Sequence, residues 1–249
     1  MSLNRLSVII ITKNEAHNIE DCLKSVEWAD EIVVVDSEST DATAEIAGQF
    51  SEKVKVLVTD WPGYGRQKQR ALDMATGDWI LSLDADERVT PALSLEIQKN
   101  IQSTECAGFE ILFRSEYCGK LIRFGDWWND RQVVLFRRNK GRFVSLDIHE
   151  RIEVLGKIEK LTGYIHHIAF PNLDLVLKKM NDYSKFSALQ KNSQGKQGGL
   201  FKAISHGIWA FFRGYFLRLG FLDGKEGFLL AVSNAEGTYY RYLKLFYLK

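Results

Sequence analysis

Apolar positions along the first hundred residues follow two alternating patterns. Short continuous runs rich in Val and Ile are typical of strands buried on both faces of a parallel sheet, and segments with helical spacing of apolar residues separate them. Strands are predicted at residues 6–11, 32–36, 54–58 and 79–84. Helices are predicted at residues 17–26, 65–75 and 92–101, with a further helix that begins at residue 41. This order indicates right-handed crossovers and a parallel sheet.

After Pro91 the pattern changes to short segments in which apolar and polar residues alternate. They predict antiparallel strands that extend the sheet, at residues 109–113, 133–136 and 151–154. An amphipathic helix is predicted at residues 173–191, and the Gly- and Gln-containing stretch 193–199 is typical of a flexible connector.

These patterns predict one α/β domain with a C-terminal extension. Residues 1–192 are expected to form a mixed, mostly parallel sheet flanked by helices, with one half at 1–101 and the other at 102–192. Residues 193–249 are expected to form a linker and a basic, aromatic, amphipathic helical extension.

Composition and charge narrow the functional classes. The chain of 249 residues is 45% hydrophobic and 26% charged, as folded proteins ordinarily are. Its net charge of +1 gives no sign of a nucleic-acid partner. The three cysteines have no metal-ligand spacing, which favours reduced thiols in the cytoplasm. No apolar run approaches the roughly 18 residues of a membrane-spanning helix.

The charge is unevenly distributed, because residues 196–249 hold eight Lys and Arg against three Asp and Glu, together with 13 of the 30 aromatic residues. On a helix over residues 201–219, Lys202, His206 and Arg213 share one flank. The opposite face is apolar and consists of Phe201, Ile204, Ile208, Phe211, Phe212, Tyr215 and Leu219. This arrangement favours a helix in the headgroup layer of an anionic membrane. The alternative is a helix packed on the rest of the chain with its basic residues exposed.

Polar residues follow the predicted parallel strands where each strand ends. Ligands of open α/β sheets bind outside the carboxyl ends of the strands, so these side chains are expected to meet at one edge. They are Thr12, Asn14, Glu15, Asp36, Asp84 and Asp86.

Asp84, Asp86 and Glu87 place three carboxylates within four residues at the end of a buried strand. Such carboxylates repel one another unless a cation compensates them, and hard divalent cations bridge carboxylates to substrate phosphates. A cation there would also stabilise the charge of a diphosphate leaving group. We therefore predict a metal site at Asp84 and Asp86, against the simpler interpretation of a solvated acidic turn.

Asp36 is a candidate for a hydrogen bond to a ribose or base, since an acid at a strand end has this role in other nucleotide folds. Its other interpretation is a cap for the following helix. Arg66, Lys68 and Arg70 follow two glycines, where they could meet phosphate. A solvated helix face explains Arg70 equally well, and Lys68 less well.

Three stretches in the first half carry a family resemblance: VIIITKNE at 8–15, IVVVDS at 32–37 and DAD at 84–86. They resemble glycosyltransferase family 2, inverting enzymes of the GT-A fold. More narrowly, the chain resembles the short lipopolysaccharide-core β-glucosyltransferases. That likeness covers essentially the whole chain and adds DWPGYGRQK at 60–68, LSLDADE at 81–87, DIHE at 147–150 and GFLDGKEG at 220–227.

The resemblance implies transfer of a sugar, with glucose expected, from a UDP-sugar to a lipopolysaccharide-core or related glycolipid acceptor. It implies a peripheral enzyme on the cytoplasmic face of the bacterial inner membrane, with residues 1–101 as the nucleotide-binding half and residues 102–192 as the acceptor-side half. Asp86 would hold Mg²⁺ or Mn²⁺, and Asp84 would contact the ribose or a metal-bound water. The nucleotide-sugar would lie against Thr12, Asn14, Glu15, Asp36 and Lys68.

Inversion requires a carboxylate that deprotonates the acceptor hydroxyl. Glu150 is our first candidate for this base, with Asp126 and Asp130 as alternatives. The acidic pair that marks the base region in many members of the family is not evident in this sequence.

Histidine suits a site for Mn²⁺, and His149 beside Glu150 is the candidate third metal ligand. A structural role for His149 has equal weight. His166 and His167 are interpreted as structural or surface residues.

Other functions have weaker support. A Rossmann-type dehydrogenase would have Gly-X-Gly-X-X-Gly after the first strand, and a sugar nucleotidyltransferase would have a glycine-rich loop with Arg there; the chain has TKNE. Two alternatives stay open. One is a membrane-associated nucleotide-sugar-binding protein without turnover, which donor hydrolysis would distinguish. The other is a family 2 transferase that acts on another surface polysaccharide acceptor.

Overall fold

The structure, a computed structural model, describes residues 3–103, 105–146 and 149–248; for residues 145–146 and 149–151 it describes the backbone alone. The chain divides into two compact units. Unit 1 comprises residues 1–113 and 131–167, and unit 2 comprises residues 114–130 and 168–249. The boundary expected at residue 192 lies inside unit 2.

The first part of the chain forms the predicted α/β alternation. Its strands are β1 (Leu6–Thr12), β2 (Glu31–Asp36), β3 (Val54–Val58), β4 (Trp79–Asp84) and β5 (Glu87–Val89). Its helices are α1 (Ile19–Ser25), α2 (Thr43–Phe50), α3 (Tyr64–Met74) and α4 (Pro91–Ser103). The four long strands lie in the order β3-β2-β1-β4, and each neighbouring pair is parallel.

Continuous apolar runs form these strands because helices cover both faces of the sheet. Val8 and Ile10 of β1 point into one core together with Leu23 of α1, whereas Ile9 and Ile11 point into another core that includes residues of α3. The strand alternates between the two cores, so apolar residues occupy both of its faces between Val8 and Ile11.

The rest of the chain contains six strands and three longer helices among the described residues. The strands are β6 (Gly108–Tyr117), β7 (Lys120–Leu121), β8 (Asp130–Arg137), β9 (Gly141–Leu146), β10 (His149–Val154) and β11 (Ile158–Phe170). The helices are α5 (Leu173–Ser193), α6 (Leu200–Phe212) and α7 (Gly224–Tyr247). The main sheet has the order β3-β2-β1-β4-β8-β6-β11-β5, with β7 beside β6.

Two of the three segments expected to extend the sheet do so, since residues 109–113 lie in β6 and residues 133–136 lie in β8, which pairs antiparallel with β4. The expectation for residues 151–154 is wrong. They belong to β10, which pairs with β9 in a separate two-stranded sheet. The hydrogen bonds of β10 go to the segment just before it in the chain, and Phe143 of β9 donates its N–H to Oε1 of Gln69 on α3.

Unit 2 contains the helical extension, but the helix expected over residues 201–219 ends earlier. α6 stops at Phe212, a π-helical turn follows at Arg213–Leu217, and Leu219 has a left-handed backbone with φ of 58°. The reason is close packing of two glycines, since a Cβ on Gly220 would lie 2.7 Å from the carbonyl oxygen of Gly214. A straight helix would hold these residues apart. Among the described residues, no helix combines the length and the apolar character needed to cross a bilayer.

Candidate functional site

The candidate site lies in unit 1 at the carboxyl ends of the parallel strands. In the register of the sheet, Thr12 of β1 lies beside Asp36 of β2, and Ile11 lies beside Asp84 of β4. The strands therefore bring the predicted polar residues to one edge, as the pattern indicated.

The loops after β1 and β2 are tied together by Asn14. Its backbone is left-handed, with φ of 56°, and its N–H donates to Oγ of Ser39 at 2.8 Å. Its side-chain Oδ1 accepts from the backbone N–H of Thr40, also at 2.8 Å. Glu15 donates its N–H to Oγ1 of Thr43. Asn14 and Glu15 thus hold the loop after β1 against residues 39–43.

Asp36 is completely buried, and its carboxylate holds the start of the next loop. Oδ2 accepts from the N–H of Ser39 at 2.8 Å, and Oδ1 accepts from its hydroxyl at 2.5 Å. These bonds lie within the loop before α2, which begins at Thr43 and has no side-chain cap, so Asp36 shapes the loop and does not cap the helix. By contrast, Oγ1 of Thr12 is buried and has no hydrogen-bond partner among the described residues. A polar atom in that state is one that a ligand could satisfy.

Lys68 is placed by α3, which begins after Gly63, whose φ is 106°. Its Nζ lies 3.0 Å from Oδ1 of Asp84, and its side chain is only 12% exposed. This ion pair places the positive charge of Lys68 directly on the carboxylate of Asp84. Arg70, on the same helix, pairs with Asp60 at 2.9 Å and is held at the surface of the loop before α3. Lys68 therefore belongs to the acidic edge, whereas Arg70 stabilises a local turn.

The residues with metal-ligand chemistry are Asp86, Glu87 and His167. Oδ2 of Asp86 lies 3.3 Å from Nε2 of His167, and one ligand atom from each of the three residues lies within 4.8 Å of the others. β11 places the histidine there, because its antiparallel pairing with β5 sets His167 opposite Glu87. His167 was expected to be a structural or surface residue, and the structure places it in the acidic cluster.

The electrostatics of the cluster are those of crowded carboxylates. Burial, reinforced by the charges of Asp84 and Asp86, raises the pKa of Glu87. Burial alone would lower the pKa of His167, but its hydrogen bond to Asp86 and the surrounding carboxylates outweigh burial and raise the pKa. The neighbouring carboxylates contribute to both shifts, because negative charge favours the protonated form of each group.

The cluster fits a divalent cation. Two oxygen or nitrogen ligands of one Mg²⁺ or Mn²⁺ lie about 2.0–2.3 Å from the ion, so they are at most roughly 4.5 Å apart. The ligand atoms of Asp86, Glu87 and His167 have about this spacing. Two carboxylates and one imidazole are also ligands that Mn²⁺ accepts. Glu87 is the most constrained of the three, since its Oε2 also accepts the N–H of Asp84 at 2.9 Å.

The base candidates have different surroundings. Asp126 lies in unit 2, where its two oxygens accept hydrogen bonds from Arg213, Arg218 and Asn234 at 2.7–3.4 Å. Asp130, also in unit 2, is exposed at the start of β8. The backbones of His149 and Glu150 lie in β10, but their side chains are outside the described residues. Their roles as metal ligand and base stay predictions.

Sequence reasoning missed the place of His167 and did not single out Arg88. Arg88 donates to the carbonyl oxygens of Ala85 and Asn18, each at 2.7 Å, and so joins the loop after β4 to the start of α1. The strand pattern of residues 158–170 could have indicated that His167 lies on a strand. It could not have indicated the partner strand, because β11 pairs with β5, about eighty residues earlier in the chain. No local pattern indicates such a pairing.

Comparison with known proteins gives consistent results. Residues 7–165 match the sequence model of the family described as Glycosyl transferase family 2. An uncharacterized glycosyltransferase of Rickettsia felis is 31% identical over 98% of this chain and 90% of its own length. The lipopolysaccharide core biosynthesis glycosyltransferase LpsC of Rhizobium meliloti is 31% identical over 97% of this chain and 92% of its own length.

A solved structure resembles the whole chain. The mannosyltransferase PcManGT from Pyrobaculum calidifontis, in complex with GDP-Man and Mn²⁺, matches with a TM-score of 0.56 over 96% of this chain and 74% of that chain, at 17% identity. At this identity the likeness concerns the fold, and it confirms the predicted GT-A type of α/β architecture.

Proposed function

Because the chain belongs to glycosyl transferase family 2, and is thus a glycosyltransferase, we propose that it is a metal-dependent, inverting enzyme that transfers glucose from a UDP-sugar. The acceptor in this proposal is a lipopolysaccharide core or a related glycolipid. The observation that carries the proposal is the cluster of Asp86, Glu87 and His167 at the carboxyl edge of the parallel sheet.

The roles of the residues follow from their surroundings. Asp86 and His167 hold the cation. Glu87 accepts the N–H of Asp84 and so keeps the turn at residues 84–87 in shape. The cation, when bound, offsets the negative charge that develops on the diphosphate leaving group. Lys68 lies against Asp84, where it adds positive charge on the donor side of the same edge.

The nucleoside is proposed to lie over the loops after β1 and β2. Thr12 offers a buried hydroxyl without a partner among the residues described, and Asp36 keeps the second loop in shape. Asn14 and Glu15 fix the first loop through their bonds to residues 39–43. In this arrangement Asn14, Glu15 and Asp36 act through loop geometry.

The acceptor and the place of action rest on similarity. LpsC of Rhizobium meliloti is named as a lipopolysaccharide core biosynthesis enzyme, and its likeness extends over nearly both whole chains. A lipid-linked acceptor of this kind is embedded in a membrane, so we place the enzyme at the cytoplasmic face of the bacterial inner membrane. Another surface polysaccharide acceptor is the alternative, and a panel of acceptors with UDP-glucose as donor would distinguish them.

The test uses two neighbouring histidines. His167→Ala and Asp86→Ala should weaken Mn²⁺ binding at least about ten-fold, because each removes a ligand. His166→Ala is the matched control, since His166 precedes His167 on β11 and lies opposite Arg88 in the strand register. Mn²⁺ affinity is measured by calorimetry with UDP present, and thermal unfolding shows whether each variant is folded.

Turnover is followed as hydrolysis of UDP-glucose with and without Mn²⁺. Donor hydrolysis by the parent would exclude a binding protein without turnover. If His167→Ala and His166→Ala bind Mn²⁺ equally well, the proposed metal site is wrong.

A further inference from the structure

Helix α6 in unit 2 buries its small residues and exposes its large ones. A Cβ on Gly207 would lie 3.4 Å from the carbonyl oxygen of Ala235 and from Cβ of Tyr239, so α6 and α7 meet at short range. The buried positions of α6 and the turn after it are Ala203, Gly207, Ala210 and Gly214. These residues offer little apolar area, so contact with α7 leaves the larger apolar side chains of α6 uncovered.

The outward face of α6 is strongly apolar. Phe201 is 83% exposed, Ile208 is 67% exposed and Trp209 is 51% exposed. Ile204 and Phe212 are also exposed, on the same side as Phe201 and Ile208. We call these five residues the α6 apolar face. Exposed apolar side chains that recur at helical spacing over more than two turns mark a surface that a membrane or a protein partner covers.

Part of the apolar stripe expected from the sequence is covered within unit 2. Phe211 and Tyr215 are only half-exposed and stack on each other, and both contact the ring of Phe228 on α7. The stripe therefore divides into a packed edge and the uncovered α6 apolar face. Packing on α7 accounts for Phe211 and Tyr215. It does not account for the α6 apolar face, which stays exposed.

The charged residues of the segment that carries the face are all basic. Residues 200–219 contain Lys202, Arg213 and Arg218 and have no acidic residue. Lys202 is exposed, and its Nζ donates to the carbonyl oxygen of Gln197, not to a carboxylate. Arg213 and Arg218 differ, because both are bound to Asp126 and serve the packing of unit 2.

A symmetric contact with a second copy would bring two such surfaces together. The exposed Lys202 of each copy would then lie in a surface whose residues 200–219 offer no acid to pair with it. An anionic lipid surface supplies both an apolar layer for the aromatic side chains and phosphates for the cations. Charge complementarity thus favours lipid.

We infer that the α6 apolar face is a membrane-contact surface, which inserts into the headgroup layer of an anionic bilayer with Lys202 at the level of the phosphates. This inference concerns unit 2 alone and does not depend on the donor or the metal. It also selects the residues to change: Arg213 is unsuitable, since its loss would leave Asp126 partly unpaired, whereas Phe201 and Ile208 are exposed.

The experiment measures binding of the full chain to vesicles by co-sedimentation. The vesicles contain phosphatidylglycerol mixed with phosphatidylcholine, or phosphatidylcholine alone. The parent is expected to bind the anionic vesicles, less so as salt rises. Phe201→Ser and Ile208→Ser should each weaken binding about ten-fold, since each removes most of one inserted side chain. Lys202→Glu should weaken binding to anionic vesicles and not to neutral ones.

The matched control is Leu95→Ser, because Leu95 lies on α4 in unit 1 and is 70% exposed, close to the exposure of Ile208. It should bind vesicles as the parent does. Circular dichroism and thermal unfolding establish that each variant is folded.

Two results would overturn the inference. One is parent-like vesicle binding by folded Phe201→Ser and Ile208→Ser variants. The other is a parent that ignores vesicles but forms a dimer in analytical ultracentrifugation that Ile208→Ser dissociates, since the face would then be a contact between copies. Hydrolysis of UDP-glucose, measured without vesicles, tests the proposed function separately from membrane binding. Ile208→Ser should hydrolyse UDP-glucose normally, whereas Asp86→Ala should lose hydrolysis and keep vesicle binding.

Discussion

Glu31, the first residue of β2, is a carboxylate whose contribution to stability should depend on pH in a defined way. It is 4% exposed and accepts hydrogen bonds from Oγ of Ser7 at 2.5 Å, from Nζ of Lys55 at 2.6 Å and from the N–H of Thr76 at 2.7 Å. Burial opposes ionisation, but these three donors prevail and lower the pKa of Glu31 from 4.5 to about 2. The group thus links β1, β2 and the turn before β4.

The sign follows from linkage. A carboxyl whose folded pKa lies below its unfolded pKa stabilises the fold fully above the unfolded value, and this contribution is lost as pH falls toward the folded value. A shift of about 2.5 pKa units corresponds to about 3 kcal/mol. Glu31→Gln should therefore lower the free energy of unfolding by about this amount at pH 7. The difference from the parent should shrink between pH 4.5 and pH 2.

The assay is urea unfolding followed by circular dichroism at pH 7, 5, 4 and 3. Glu52→Gln is the control, since Glu52 is exposed, and it should change the free energy of unfolding by less than about 0.5 kcal/mol. The reasoning fails if Glu31→Gln costs no more than the control at pH 7, or if its cost is the same at pH 3 as at pH 7.

Three further predictions concern other parts of the chain. Cys22 should resist alkylation in the folded protein, because burial raises its pKa to about 12. The half-buried Cys118 should react first, and thiol titration at pH 8 before and after unfolding checks the order. Gly227→Ala should destabilise unit 2 by about 1–3 kcal/mol in urea unfolding, since the new Cβ would lie 1.9 Å from a carbonyl oxygen, and equal stability to the parent would contradict the packing. Glu150→Gln should lower turnover about 10²- to 10⁴-fold and leave UDP affinity unchanged, whereas Asp126→Asn should act mainly by lowering the melting temperature; parent-like turnover by Glu150→Gln would remove it as base.

The parallel half of the sheet could be predicted from the sequence because its signals are local. The strands are rich in apolar residues, and the two cores on either side of β1 favour such residues on both faces of the sheet. Helix ends moved by only one to three residues, as with α3, predicted at residues 65–75 and observed as Tyr64–Met74. The position of Asp84 and Asp86 follows from the same local signal, since they end the last of these strands.

The antiparallel part and the position of His167 depend on long-range pairing. Apolar and polar residues alternate at 151–154, as they would in a strand of the main sheet, yet these residues pair with β9. The alternation does not indicate which strand is the partner. His167 reaches Asp86 only because β11 pairs with β5. Similarly, the end of α6 depends on contact between Gly214 and Gly220, which a helical pattern does not contain.

The partners of each acidic side chain separate structural carboxylates from the candidate ligands. Asp126 is bound by two arginines, and Asp223, inside the motif at residues 220–227, accepts the backbone N–H groups of Arg123 and Phe124 at 3.0 and 2.8 Å. Donors of the protein itself compensate these charges, so their removal should cost stability. At the end of β4 the balance differs. Lys68 offsets Asp84, but Asp86 and Glu87 lie in one cluster with His167, and burial together with the neighbouring carboxylates raises the pKa of Glu87. Crowded carboxylates of this kind favour a cation, which is why we propose the metal at this edge, whereas donors of the protein itself already compensate Asp126.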